Sequence, residues 1–376
     1  MRSHLQIAAD AATLAMASAQ VQGQTDIKQI GQDAFDVNFN AKKYGVSVVP
    51  QITLSENAIK VTVDEKQATT ILNVLGFKFM DVGVASEAML PTWIKAEVVL
   101  VLDYSSSMNS SGKYQAMRDA ATDLVKVLSQ DGENKDIKFG LVPFAEHVYG
   151  TMASDYIVDE ATGGTWTNCT RDRQWPYNIE DTTPVASNDD TRWGMKASGK
   201  KKKKKKNDPY KDCGVYPARS LVISPLNDDH QKTLDQLADM YPYAGTHIAL
   251  GLEFGWHVIS PNPPWNEGVA YNDDEVVKVI VLLTDGRQSV EGNGPGGSSS
   301  DSNAEKNLED MCETIKTKDV IMITVGFDLN DSTTLNRLKN CATSSAYFFD
   351  AKTNSDLKTA FANITGQIAG KTRLTK

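Results

Sequence analysis

The chain has 376 residues, long enough for two domains with a substantial core in at least one of them. Its 40% hydrophobic and 23% charged residues are the ordinary balance of a globular protein, and 39 Lys and Arg against 48 Asp and Glu leave a net charge of −9, which argues against a general nucleic-acid binder. The sequence contains no apolar run long enough to span a bilayer, and the opening Met-Arg-Ser-His-Leu-Gln-Ile-Ala-Ala-Asp lacks the uninterrupted apolar core of a signal peptide.

In chain order, residues 4–20 predict an alanine-rich helix. Leu5, Ala8, Ala12, Ala15 and Ala19 fall at helical spacing, and the small side chains suit close packing against another helix. From about 34 to 90 the pattern changes to short β-formers, at 45–49, 58–63 and 76–84, separated by turn residues, which predicts a small antiparallel sheet. The expected division is a helical stem over 1–33, a β-rich module over 34–94, and a larger α/β domain over 95–376.

That domain opens on Val98–Leu102, five consecutive apolar residues that suit a central parallel strand covered on both faces. The strand runs into Asp103, Ser105 and Ser107, oxygen-bearing residues at alternate positions that would point the same way if the chain stays extended. One carboxylate and two hydroxyls at a strand end suit a hard cation such as Mg²⁺ or Ca²⁺. A helix capped by Ser110 or Ser111 should follow, with Tyr114, Met117, Ala121, Leu124 and Leu128 as its apolar stripe. Strands are then expected at 137–144 and 147–149.

Residues 152–220 break the rhythm and read as a loop insertion, longer than a connection requires. Within it, Lys200–Lys206 is a run of seven like charges, expected to be extended and solvated. The alternation resumes with helices at 228–240 and from Gly245-Thr246 to about 259, and with a second buried strand, Val276–Thr284, ending at Asp285-Gly286. A Gly/Ser-rich loop at 291–300 should be flexible by composition. A helix at 302–317, a strand at 320–325, a helix near 332–341, a strand at 347–349 and a helix from Ser355 complete a mostly parallel open sheet. The four cysteines allow three connectivities. The pairs Cys169 with Cys213 and Cys312 with Cys341 each bracket a region that closure would stabilise, so two disulfides in an oxidising compartment are expected.

Asp103-x-Ser105-x-Ser107, then Gly-Thr246, then Leu-Leu-Thr-Asp285-Gly resembles the three-part pattern of the von Willebrand factor A domain family. The resemblance implies a Rossmann-like α/β fold, a mostly parallel sheet with helices on both faces, here joined to an N-terminal helix and a small antiparallel β module. It also implies a metal-ion-dependent adhesion site. Ser105 and Ser107 would ligate Mg²⁺, or Mn²⁺ or Ca²⁺, through their hydroxyls; Thr246 would bind directly or through water; Asp103 and Asp285 would act largely through bound waters. The open coordination position would then take an Asp or Glu carboxylate from a protein partner. His247 is expected to turn away from the site.

Three stretches resemble TadG-like Tad (Flp) pilus assembly proteins more narrowly: the start at Arg2, Ala244–Pro261, and the closing Cys341 through Tyr-Phe-Phe-Asp-Ala351. This implies a non-enzymatic bacterial envelope protein on the periplasmic or extracellular side. Its partners would be pilus or other envelope proteins, and it would be anchored in the inner membrane by an N-terminal helix absent from this chain. The alternative is a free-standing extracellular adhesin or matrix-binding receptor, distinguished by the sequence encoded upstream of Met1. Catalysis has little support, since no Gly-x-Ser-x-Gly elbow surrounds the serines and no His-Glu-x-x-His spacing occurs.

Overall fold

The computed structural model describes residues 1–21, 26–55, 58–68, 76, 79–89, 95–159, 168–195 and 213–372. Two compact units are present, Met1–Thr92 and Trp93–Arg373. Lys200–Lys206 lies outside the described residues.

The first unit contains helices α1 (Arg2–Val21) and α2 (Ile27–Asn38) and an antiparallel sheet of β1 (Gln51–Leu54), β2 (Ala58–Ala68) and β3 (Phe79–Met89). Leu5, Ala8, Ala12 and Met16 of α1 share a core with Phe35 of α2 and with Ile59, Val61 and Val63 of β2. The two helices pack closely, because a Cβ added at Gly31 would lie 2.4 Å from Met16 Sδ. Two expectations are corrected here. Residues 34–38 belong to α2, whose buried Ile27, Gly31 and Phe35 recur every four residues. Residues 45–49 form no strand; Gly45, at φ 64°, ends a short helix Ala41–Tyr44 in the left-handed conformation, and the strand begins at Gln51.

The second unit is built on β4 (Lys95–Asp103), β5 (Ile137–Phe144), β6 (Ser224–Asn227), β7 (Val276–Thr284), β8 (Ile321–Phe327) and β9 (Phe348–Ala351), hydrogen-bonded in the order β6-β5-β4-β7-β8-β9. All pairs are parallel except β6 with β5. The antiparallel β6 was not legible in the sequence. It is four residues long and carries Pro225, which a sheet tolerates at its edge.

Alternate residues of β4 feed opposite cores. Val98, Leu100 and Leu102 face α3 (Lys113–Leu128), α4 (His230–Asp239) and α8 (Asn354–Thr372). Val99 and Val101 face α5 (Ile248–Ile259), α6 (Asp301–Lys316) and α7 (Ser332–Cys341). Every residue of α5 is buried. The helix can press onto the sheet because Gly251 and Gly255 leave no side chain there; an added Cβ would come within 2.5 Å of the Phe144 ring and 2.4 Å of Val101 Cγ2.

Much of the insertion is woven into the domain. Val148–Tyr149 pairs with Cys169–Thr170, and Ile157–Asp159 with Trp193–Met195. Trp193 and Arg173 are fully buried, and both bond Glu253 of α5. The Gly/Ser-rich stretch is also folded, with Gly292–Asn293 pairing with Ser299–Ser300. Gly296 and Gly297, at φ 68° and 73°, make the turn. Disulfides join Cys169 to Cys213 and Cys312 to Cys341. Among the described residues no helix is long and apolar enough to cross a membrane.

Candidate functional site

Strands β4 and β7 are neighbours at the centre of the sheet, and their connections leave in opposite directions: β4 leads to β5 on one side, β7 to β8 on the other. A crevice at the carboxyl ends of such strands is where open α/β sheets bind ligands. Asp103 and Asp285 stand at this crevice, one at the last residue of β4 and the other just after β7.

Asp103 is fully buried and both its oxygens are engaged: Oδ1 accepts from the Ser105 backbone N–H at 2.7 Å, and Oδ2 from the Thr284 hydroxyl at 2.6 Å. Burial, and then the charge of Asp285, push its pKa up to about 7, against the opposing hydrogen bonds. The Ser105 and Ser107 hydroxyls lie 3.0 Å apart, and Ser107 Oγ donates to Asp285 Oδ1 at 2.5 Å. Thr246 completes the group beside Gly286, where an added Cβ would lie 3.3 Å from Thr246 Oγ1 and 3.7 Å from Ser107 Oγ. All five residues picked out in the sequence therefore gather around one point.

Backbone contacts fix the three segments. Ser106 N–H donates to Ala244 O, and Ser289 N–H to Thr246 O. The Thr246 N–H in turn donates to Ser289 Oγ at 3.0 Å. His247 turns inward, as expected: it is fully buried and caps α5, with Nδ1 accepting from Leu250 N–H at 3.2 Å.

Other residues at the site were not picked out in the sequence. Thr284 holds Asp103, and Gly286 keeps open the space beside Thr246 and Ser107. Lys113 reaches back from the first residue of α3, placing Nζ 3.0 Å from Asp285 Oδ2 and 2.9 Å from Asp328 Oδ2. Burial alone would lower its pKa, but bonds to Asp328 and Asp285 outweigh it and raise it. This placement follows from a correction to the start of α3. Its N-cap is Gly112, at φ 71°, rather than Ser110 or Ser111, because Ser106–Asn109 forms a 3-10 turn and Ser110 Oγ donates back to Ser107 O.

Three hydroxyls and two carboxylates form a hard-oxygen donor set that suits Mg²⁺, Mn²⁺ or Ca²⁺ and offers nothing to a soft metal. Among the described residues no cluster of three or more His, Cys, Asp and Glu side chains makes a competing site. The residues present fit a small divalent cation, for which Ser105, Ser107 and Thr246 would supply hydroxyl oxygens and Asp103 and Asp285 negative charge.

Residues 218–363 match the family model of the von Willebrand factor type A domain. The matched span contains Thr246 and Asp285, while Asp103-x-Ser105-x-Ser107 lies before it. No curated protein matches the chain in sequence. Among solved structures, the chain is similar to the vWF domain of the type V pili tip protein Mfa5 from Porphyromonas gingivalis, with 14% identity and a TM-score of 0.47 over 76% of this chain and 98% of that one. The pilus adhesin SpaC from Lactobacillus rhamnosus GG, in its open conformation, gives 11% identity and a TM-score of 0.46 over 86% of this chain. The pilus adhesin RrgA from Streptococcus pneumoniae gives 9% and 0.42 over 85% of this chain and 48% of that one. The chain spans about a third of the length of SpaC, 34%. The strand order and the family match together give Trp93–Arg373 the fold of a von Willebrand factor type A domain.

Proposed function

We propose that this chain is a non-enzymatic cell-envelope protein that binds a protein partner through a divalent cation held by Asp103, Ser105, Ser107, Thr246 and Asp285. The cation is Mg²⁺, or Mn²⁺ or Ca²⁺ in its place, and the partner supplies an Asp or Glu carboxylate to its open coordination position. The observation that carries this reading is the convergence of three hydroxyls and two carboxylates at the sheet's central crevice, from three separated segments.

The setting we propose is the Tad (Flp) pilus system, in assembly or adhesion, on the periplasmic or extracellular side and held at the inner membrane. Its support is the resemblance of the opening residues, Ala244–Pro261 and Cys341–Ala351 to TadG-like proteins. Two disulfides agree with an oxidising compartment.

Calorimetric titration of Mg²⁺ and Mn²⁺ into the wild type and Asp103→Ala tests the site. Cation binding by the wild type and its loss in Asp103→Ala are expected; equal affinity in the two proteins sinks the assignment. Pull-down from pilus-bearing cell envelopes, with and without EDTA, tests the partner, and capture that ignores EDTA removes the cation from the mechanism.

A further inference from the structure

The hydroxyl and carboxylate cluster carries one charge that cation binding does not call for. Lys113 is 8% exposed, and its ammonium bridges Asp285 Oδ2 and Asp328 Oδ2. The Asp285 carboxylate is thereby divided. Oδ1 faces the Ser107 hydroxyl inside the cluster, and Oδ2 is held by the ammonium behind it. Asp328, just after β8, takes the other side of the same ammonium, with its own N–H donating to Ala351 O at 2.7 Å.

We infer that Lys113 is a positioning residue, a built-in cation that orients Asp285 and sets the divalent-cation affinity of the site. This rests on the reading that the site takes such a cation. Two carboxylates meeting at one buried crevice repel each other when no positive charge stands beside them. The ammonium relieves that repulsion, so the site stays assembled without a metal. The same ammonium stays beside Asp285 when a dication enters, withholds Oδ2 and repels the newcomer, so binding is weaker than five such oxygen donors would otherwise give. Lysine suits this role because its charge is compact and sits at the end of a flexible stem. The consequence is a site whose occupancy follows the cation concentration outside rather than one filled permanently.

The test is titration of Mg²⁺ alone, and separately Mn²⁺ alone, into the full chain by calorimetry, with thermal unfolding followed in EDTA and in Mg²⁺. Lys113→Met is expected to bind on the order of tenfold more tightly than the wild type, as for a proton relieved of one nearby opposing charge. It should also melt lower in EDTA and gain more from Mg²⁺. Lys113→Arg, which keeps the charge, should stay near the wild type. Arg118→Met removes a positive charge one turn further along α3, where the guanidinium meets Asp119 and Ala238 O instead of Asp285, and should leave affinity unchanged.

If Lys113→Met does not fold, Asp328→Asn decides instead. It leaves the ammonium to Asp285 alone and should weaken cation binding severalfold; an unchanged affinity overturns the inference. Wild-type binding equal to or tighter than that of Lys113→Met overturns the role of Lys113 and leaves the cation site standing. Binding by Lys113→Met with none by the wild type supports it. No binding by either overturns both readings.

Discussion

The hydroxyl of Ser107 donates to Asp285 Oδ1 at 2.5 Å, joining residues 178 positions apart in the chain. The ladder between β4 and β7 sets the two carboxylate-bearing strand ends side by side, and this bond spans the crevice beyond them. Ser107→Ala removes both the donor and one hydroxyl of the proposed cation site. We expect Mg²⁺ affinity to fall about tenfold or more, in the range seen when residues supporting a metal site are removed. The melting temperature should change little, since Ser107 lies at the surface edge of the site and not in either core. Calorimetry beside thermal unfolding checks both halves.

Gly286→Ala tests the space rather than the ligands. Its Cβ would meet Thr246 Oγ1 at 3.3 Å, closer than an ordinary contact, and Ser107 Oγ at 3.7 Å. The expected outcome is weaker Mg²⁺ binding with an intact fold. An affinity equal to the wild type would show that Thr246 has room to retreat and stands outside the binding space.

Arg173 and Glu253 form an ion pair at 3.3 Å, with both side chains removed from solvent. The guanidinium also donates to Glu180 O at 2.6 Å and Thr182 O at 2.8 Å, stitching the insertion to α5. Arg173→Met should cost about 3–5 kcal/mol, because the buried Glu253 loses its cationic partner and keeps only the Trp193 N–H. Arg173→Met combined with Glu253→Gln should recover part of that loss. Urea unfolding of the two variants measures the difference, and a loss below about 1 kcal/mol would mean that Glu253 is buried as the neutral acid, the form that burial favours.

Burial, with Arg171 and His247 adding to it, pushes the His147 imidazole from 6.5 down to about 3. The unfolded chain therefore takes up a proton near pH 6.5 and the folded chain only near pH 3. The stability from this group is fully present above the upper value and is lost as pH falls toward the lower. Its slope is at most about 1.4 kcal/mol per pH unit. Asp103 and Glu253 are raised to about 7 and about 8, chiefly by burial, and lean the other way as pH rises. The comparison of wild type with His147→Gln isolates the histidine: the variant should lose less stability between pH 6.5 and pH 5, measured by urea unfolding, and parallel curves would refute the assignment.

The Cys312–Cys341 disulfide ties α6 to the end of α7 across 29 positions. Replacing both cysteines by serine should cost roughly 3–4 kcal/mol from the freed unfolded chain. The same loss should follow reduction of the wild type if this bond dominates. Comparing the double variant with the wild type, each with and without reductant, separates it from Cys169–Cys213.

Elements with a local signal are legible in the sequence. Val276–Thr284 is legible because a strand buried on both faces carries an apolar run, here Val279–Leu283 after Lys278, closed by Thr284-Asp285. The apolar period of α6 and α7 marks both helices to within a residue or two of their ends. Ile27, Gly31 and Phe35 carried the same signal for α2, but Gly31 hid it, since a glycine at a close approach does not look apolar. The strand β6 gave no signal, because four residues with a proline have no period to read.

For the site, the sequence by itself determined which oxygens stand at strand ends: Asp103, Ser105 and Ser107 follow one buried run and Asp285 another. Thr246 stands at a loop-to-helix junction within reach of the same edge, and the family pattern joins it to them. The tertiary structure alone decided that Thr284 holds Asp103 and that Lys113 bridges Asp285 and Asp328. These contacts join residues 181 and 172 positions apart in the first two cases. A long-range pair of polar side chains leaves no period, no cap and no composition behind it. It exists only once the sheet has set β4 beside β7 and the Gly112 turn has brought the start of α3 back over them.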